Sequence, residues 1–274
     1  MPSSDETPTV EEFTSKAELP ELVEKGEVQV VSRELFDLQL TFAKKAQKLA
    51  ESAESPLSLH YILSEGTNIR RKLGLYGEEH QEEWDYLINS IEKLPQDKQL
   101  TTIYEKYMTA LQSTETSVQD KHQYFGCFWY HITADNQVFL HFANRDSSGE
   151  SPIGDSRFEQ RRLELKEMFQ HIKVAHPNAT EVTSKSWTYN LPKFNRLFPE
   201  EYTKNAQQVK TGLSRFDYWG QFLQRNGEVK TDSKNEFLKQ LNNAQSADDL
   251  MECFPLHPKV PVCDIKYFYQ SLGI

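Results

Sequence analysis

Residues 124–146, with the sequence YFGCFWYHITADNQVFLHFANRD, form the densest aromatic run in the chain. Two apolar segments, residues 124–132 and 137–144, flank the polar tetrapeptide Thr133-Ala134-Asp135-Asn136. This pattern predicts a β-hairpin with a short polar loop. A loop of either two or four residues places odd-numbered positions of the first strand opposite even-numbered positions of the second.

That register divides the hairpin side chains between two faces. The predicted first face carries Cys127, Trp129, His131, Val138, Leu140 and Phe142, and the second carries Phe128, Tyr130, Ile132, Phe139 and His141. Both faces are apolar, so the hairpin is expected to be covered on both sides, as a central element of a sheet is. His131 and His141 fall on opposite faces, where they cannot share a ligand.

Length and charge limit the classes of function. The chain has 274 residues and a formal net charge of −10, and residues 1–28 alone hold eight acidic side chains against Lys16 and Lys25. The tail therefore carries −6 and the rest of the chain only −4. Neither part has the basic surplus with which nucleic-acid-binding proteins displace counterions, so no nucleic-acid partner is expected.

Three cysteines, Cys127, Cys253 and Cys263, form no CxxC pair and predict free thiols in a reducing compartment. No apolar run approaches the roughly 18 residues of a membrane span, and the N-terminus lacks a basic, then apolar, targeting pattern. The expected location is the cytoplasm, without membrane association.

The predicted fold class is α+β. Between residues 32 and 112, apolar residues recur at three- and four-residue steps, as Leu35, Leu38 and Phe42 do, which predicts a layer of amphipathic helices. This N-terminal helical layer is expected to pack on a small mixed sheet with a central β-hairpin and one βαβ crossover. The predicted organisation is an acidic, disordered tail over residues 1–28, a helical subdomain over 29–112 and an α/β subdomain over 113–274 that packs on it.

The segment after the hairpin predicts an anion-binding site. A glycine-containing loop leads to Ser156-Arg157-Phe158-Glu159, a capping-box pattern that opens a helix, and residues 181–189 read as a parallel third strand. Free backbone N–H groups and the helix dipole favour an anion at such a helix start. The candidate ligand-binding residues are Asn144, Arg145, Gly149, Gly154, Ser156, Arg157 and Arg161.

An alternative for this loop is that it is solvated and that Asp146, Glu150 and Asp155 pair with its arginines. Arg162 is turned about 100° from Arg161 on a helix, so it is expected to contribute less to binding. No catalytic residue is assigned. No metal is expected either, since His80 and Glu83 lack a second ligand pair at bundle spacing.

The order of hairpin, glycine-containing turn, capped helix and strand over residues 124–205 resembles the core of the GCN5-related N-acetyltransferase family. The turn, NRDSSGESPIGDSR, is longer than the family's Q/R-x-x-G-x-G/A turn and lacks that signature. The resemblance implies an acyltransferase that uses acyl-CoA. Tyr202 is the nearest counterpart of a tyrosine that the family often carries after the third of these elements, although its surroundings, RLFPEEYTK, differ.

Two classes of function stay open. The first is a small-molecule binder that holds a phosphate- or CoA-like anion at residues 144–162, with acyl transfer as its enzymatic form. The second is a non-catalytic interaction protein that meets a protein partner through its acidic tail or through its aromatic C-terminal segment, residues 268–274.

Overall fold

The computed structural model describes residues 30–52, 57–112, 123–146, 150–209 and 216–274. The predicted acidic tail and Gly149 lie outside these residues. The described chain combines helices with a four-stranded mixed sheet and a two-stranded sheet, so the α+β class that the sequence predicts is confirmed.

The N-terminal part is helical, as expected. Its helices are α1 (Arg33–Ser52), α2 (Leu59–Glu65), α3 (Ile69–Lys72), α4 (Gln81–Ile91) and α5 (Gln96–Gln112). Between α2 and α3 the chain turns at Gly66, whose carbonyl oxygen accepts a hydrogen bond of 2.9 Å from the indole nitrogen of Trp219. Trp219, which lies 153 residues after Gly66 in the sequence, therefore packs against the break between two short helices.

The C-terminal part completes the core of these helices. A 3₁₀ segment (Phe216–Phe222), α9 (Thr231–Asn243) and α10 (Ala247–Glu252) bring further buried side chains to α1. Phe42 meets Trp219 and Phe254 edge-on at ring distances of 5.5 and 5.6 Å, an arrangement that adds to the burial of these rings. The buried side chains of residues 216–254 thus lie in the helical cluster, whereas the sequence grouped residues 113–274 together.

The larger sheet has the strand order β1, β2, β3, β6. These strands are β1 (Phe128–Ile132), β2 (Gln137–Phe142), β3 (Glu181–Thr183) and β6 (Val262–Asp264), while β4 (Gln207–Gln208) and β5 (Lys259–Val260) form the small sheet. Between β2 and β3 runs α6 (Phe158–Ala175), and these two strands are parallel. The βαβ unit that the sequence predicts is therefore present.

The hairpin forms at the predicted place but in a different register. Phe128 pairs with Phe142 and Trp129 with His141, so odd positions face odd positions. Asn136 adopts the left-handed conformation, with φ of 58°, and its N–H donates to the Thr133 carbonyl. This geometry makes a three-residue loop, a turn followed by a left-handed residue. Because the loop has an odd number of residues, the prediction that odd positions of the first strand face even positions of the second is wrong.

The two faces of the hairpin consequently differ from those expected. Phe128, Val138 and Leu140 are buried on one face, whereas Trp129 and His131 lie on the other with Phe139 and His141, and His131 is exposed. Among the described residues this second face is only partly covered, with Trp129, Phe139 and His141 half-buried, so the prediction that the hairpin is buried on both sides is wrong. In the observed register the large aliphatic side chains lie on one face. An antiparallel strand pair of this kind needs to bury only that face.

Helices from the same half of the molecule cover the buried face of the sheet. They are α6, α7 (Pro192–Asn195), α8 (Glu200–Lys204) and α11 (Ile265–Leu272). The ring of Phe268 stacks on that of Phe169 at 4.4 Å and meets that of Tyr202 edge-on at 4.9 Å. This core is a cluster separate from the helical one around Trp84 and Trp219.

Candidate functional site

A cleft of about 320 Å³ lies where the chain before β1, the segment after β2 and the first turns of α6 meet. It brings together three of the predicted ligand-binding residues, Arg145, Arg157 and Arg161. The full lining is Gly126, Cys127, Arg145, Asp146, Arg157, Gln160, Arg161 and Glu164. Of the other candidates, Asn144, Gly154 and Ser156 do not line the cleft, and Gly149 lies outside the described residues.

The helix start differs from the predicted capping box. A 3₁₀ turn, Asp155–Arg157, precedes α6, and no side chain caps either element. Ser156 lies inside this turn rather than at the N-cap, and its hydroxyl donates to the carboxylate of Glu150 at 2.7 Å. The predicted capping box is wrong because the α-helix begins one residue later than its pattern requires, at Phe158 with Arg157 as the N-cap.

Arg161 forms the floor of the cleft. Its residue exposure is 1%, and its Nη2 donates to Asp146 Oδ2 at 2.9 Å while its Nη1 lies 3.2 Å from Glu164 Oε2. The same Nη1 contacts Cys127 Sγ. Both carboxylates are themselves largely buried, so this is an enclosed charge network, and Arg161 is a structural group more than a freely available ligand contact.

Glu164 ties this network to the start of the hairpin. Its carboxylate accepts hydrogen bonds from the Cys127 N–H at 3.0 Å and from the Gln160 amide at 3.2 Å. Burial raises the pKa of Glu164, and these donors together with Arg161 act in the opposite direction. Gly126 sits against it with φ of +60°, and a Cβ there would collide with the carboxyl group, so the close approach requires glycine.

The thiol of Cys127 is not activated by its surroundings. Burial raises the pKa of Cys127, and this outweighs the opposing effects of a backbone hydrogen bond at Arg145 and of the Arg161 charge. A neutral buried thiol is a poor nucleophile. All three cysteines are buried and unpaired, as the sequence predicts for free thiols.

Arg157 and Glu150 occupy the more open side of the site. Arg157 Nε lies 3.1 Å from Glu150 Oε2 and 3.4 Å from Asp146 Oδ2. The Arg157 side chain is 25% exposed and that of Glu150 is 52% exposed. Nearby, the Arg145 guanidinium stacks on the Tyr124 ring at 3.9 Å, where Arg145 is exposed.

The alternative prediction, in which acidic residues of the loop pair with its arginines, is observed for two of the three acidic residues. Asp146 and Glu150 pair with the site's arginines, whereas Asp155 pairs with Lys193 and Arg196. Arg162 points elsewhere: its guanidinium donates to the Leu197 carbonyl at 3.1 Å and to Ser271.

The tyrosine nominated by the family resemblance is enclosed. Tyr202 has no exposed surface, its hydroxyl lies 3.3 Å from that of Tyr189, and burial raises its pKa well above the usual value. Beyond the paired residues of β2 and β3, the ring of Phe194 lies between those of Phe142 and Tyr189, at centroid distances of 5.1 and 5.2 Å. An accessible acid is therefore not present at Tyr202.

The sequence pointed to Asp146 as a partner of the arginines, but Gly126, Cys127, Gln160 and Glu164 were not predicted as lining residues. The sequence spacing could have identified Glu164, because it lies three residues after Arg161 and therefore on the same face of the helix. Gly126 and Cys127 contact Glu164 but lie 37 or more residues before it in the sequence, so no local pattern connects them.

No protein-family model, curated protein or solved structure matches this chain. Within the described ranges, no helix has both the length and the apolar character needed to cross a membrane. Over the same residues, no group of three or more histidine, cysteine or acidic side chains is placed to hold a metal ion.

Proposed function

We propose that the protein binds a small molecule carrying a phosphate or carboxylate group at the edge of the cleft, where Arg157 and Ser156 meet Glu150. The observation that carries this proposal is the position of Glu150. Its carboxylate accepts from the Ser156 hydroxyl and lies 3.1 Å from Arg157 Nε, so the site already receives one anionic group of the chain's own.

This internal carboxylate is suited to exchange with a ligand. Glu150 is half exposed, and ion pairs at such positions contribute only about 0–1 kcal/mol. Arg157 Nε is buried, yet it makes no hydrogen bond of acceptable geometry with any described residue. The Glu150 carboxylate, 3.1 Å away, therefore compensates the charge of this group without a well-aligned hydrogen bond, and an anion oxygen placed in line with the N–H would add one.

The charges of the lining also fit one added anion. Without Glu150, the charged side chains that line the cleft are Arg145, Arg157 and Arg161 against Asp146 and Glu164. The cleft then has an excess of one positive charge. Because Asp146 and Glu164 hold Arg161 from below, the floor is fixed in place before a ligand arrives, which lowers the entropy cost of binding.

An acyl-CoA belongs to the same anionic class through its phosphates, and acyl transfer is the enzymatic form of this proposal. The enclosed Tyr202 gives that form no accessible acid, so the proposal concerns binding. A thermal-shift screen of nucleotides, acyl-CoAs and phosphorylated metabolites tests it, and a stabilisation of several degrees identifies the ligand class.

Two substitutions should change anion affinity in opposite directions. Arg157→Ala removes one charged hydrogen-bond donor and is expected to weaken binding by about 1.5–3 kcal/mol, roughly ten- to a hundredfold. Glu150→Ala removes the internal competitor and is expected to tighten binding. Isothermal titration calorimetry with inorganic phosphate, and then with the best compound of the screen, measures both changes.

Arg162→Ala is the matched control, because this arginine lies on the same helix but donates to Leu197 and Ser271, outside the cleft. It should leave the affinity unchanged. Equal affinities for the wild-type, Arg157→Ala and Glu150→Ala proteins would reject the site.

An interaction protein is the second candidate, and a different surface now favours it. The C-terminal aromatic segment is not available as predicted, because Phe268 is fully buried and stacked on Phe169. The outer face of the hairpin instead presents Trp129, Phe139 and two histidines, side chains that are typical of interface centres. This candidate replaces the first if no anion protects the protein from thermal unfolding.

A further inference from the structure

Two histidines meet on the outer face of the hairpin. His131 on β1 and His141 on β2 share this face because of the three-residue loop, and His131 Nδ1 lies 2.9 Å from His141 Nε2. Neither residue lines the anion cleft. Whatever this pair does is therefore separate from the anion binding proposed above.

Neighbouring rings hold both imidazoles in position. The Trp129 ring stacks on His141 at a centroid distance of 3.6 Å with an interplanar angle of 4°. Phe139 stacks on His131 at 5.0 Å and 21°. These stacking contacts limit the rotamers of both side chains, although each ring still has to turn about χ2 to bind an ion.

We propose that His131 and His141 form a two-histidine site for a divalent transition-metal ion. Two imidazole nitrogens bound to one ion at about 2.0–2.1 Å lie about 2.9 Å apart at neighbouring octahedral corners and about 3.4 Å apart in a tetrahedron. The observed separation falls at the lower end of that range. The rings need to turn until their lone pairs converge on the ion, and histidine χ2 torsions are soft enough for this.

The chemistry of the pair sets the class of ion. Without metal, the 2.9 Å contact is a hydrogen bond in which one facing nitrogen carries the proton. Binding requires both facing nitrogens to be free of protons, so the donor ring changes to its other tautomer and no net proton is released from a neutral pair. Imidazole nitrogens favour Cu²⁺, Ni²⁺ and Zn²⁺ over Mg²⁺ and Ca²⁺, and water completes the coordination shell.

A carboxylate on the same sheet is engaged elsewhere, since Glu181, on β3, accepts a hydrogen bond of 2.8 Å from the Gln137 amide. The protein ligands of the proposed site are the two imidazoles. With only two protein ligands, the site imposes little geometry on the bound ion. Its preference among ions should therefore follow the general affinity order, in which Cu²⁺ binds more tightly than Ni²⁺ or Zn²⁺, and Mn²⁺ most weakly.

Calorimetric titration of the full chain, without an affinity tag, with NiCl₂ tests this site. We expect one ion per chain in the wild-type protein. Loss of either ligand removes chelation, so His131→Ala and His141→Ala should each weaken binding by about tenfold or more. His171→Ala is the matched control, because this histidine is bonded to the Tyr130 hydroxyl away from the pair.

A second readout uses the stacked indole. Cu²⁺ bound at His141 would lie close to Trp129 and should quench its fluorescence, whereas Trp84 and Trp219 are buried in the helical cluster and Trp187 lies beside Gly220. Trp129→Phe should lose this quenching and keep the calorimetric binding. Unchanged nickel affinity in both histidine variants, or an equal loss in His171→Ala, would overturn the proposal.

Discussion

Replacement of Phe128 by alanine is expected to lower the free energy of unfolding by about 3–5 kcal/mol, as truncation of a fully buried phenylalanine does. Phe128 has no exposed surface and lies on the hairpin face that packs against α6. Its ring contacts Phe142 at 5.3 Å and Phe198 at 6.3 Å. The loss would leave a cavity between the sheet and its helices that neighbouring rings cannot close without moving.

Trp129→Ala is the matched comparison, since it removes a larger ring from the adjacent position. This side chain lies on the outer face, so we expect a loss of only about 0.5–1.5 kcal/mol, mainly its stacking with His141. Urea unfolding of both variants measures the difference. A larger loss for Trp129 than for Phe128 would contradict the register and restore the one predicted from an even-numbered loop.

Arg161→Ala is the second substitution with a large expected effect. It leaves the buried carboxylates of Asp146 and Glu164 without their shared cation, and breaking a buried pair in this way costs about 3–5 kcal/mol. The expected loss is large because the Arg161 side chain is enclosed. Denaturant unfolding again provides the measurement.

Arg157→Ala is the control for that experiment. Its guanidinium is partly exposed and its carboxylate partner Glu150 can turn into water, so a loss of at most about 1 kcal/mol is expected. If Arg161→Ala costs no more than Arg157→Ala, water reaches the floor of the cleft and the enclosed network does not exist. The contrast also shows why Arg157, and not Arg161, is the appropriate variant for binding experiments.

Local pattern was sufficient to locate the hairpin but not to orient it. The two apolar segments and the polar tetrapeptide at residues 133–136 place both strands and the turn between them. The register depends on the backbone conformation of Asn136, which adopts φ of 58°. Asparagine tolerates this left-handed conformation without requiring it, so composition could not distinguish an odd loop from an even one.

The candidate site shows a similar division. The arginines were predictable because they follow the hairpin and open α6, a short stretch of chain. Their partners were only partly predictable, since the Glu164 carboxylate is held by the Cys127 N–H, 37 residues earlier in the chain. The docking of Trp219 against Gly66 spans 153 residues, and no local pattern in either segment encodes such a contact.

A crystal structure of the Glu150→Ala protein grown with inorganic phosphate tests the central claim most directly. The proposed function predicts a phosphate at the position of the missing Glu150 carboxylate, within hydrogen-bond distance of the Ser156 hydroxyl and the Arg157 guanidinium. A cleft without phosphate, at a concentration that saturates binding in solution, would contradict it.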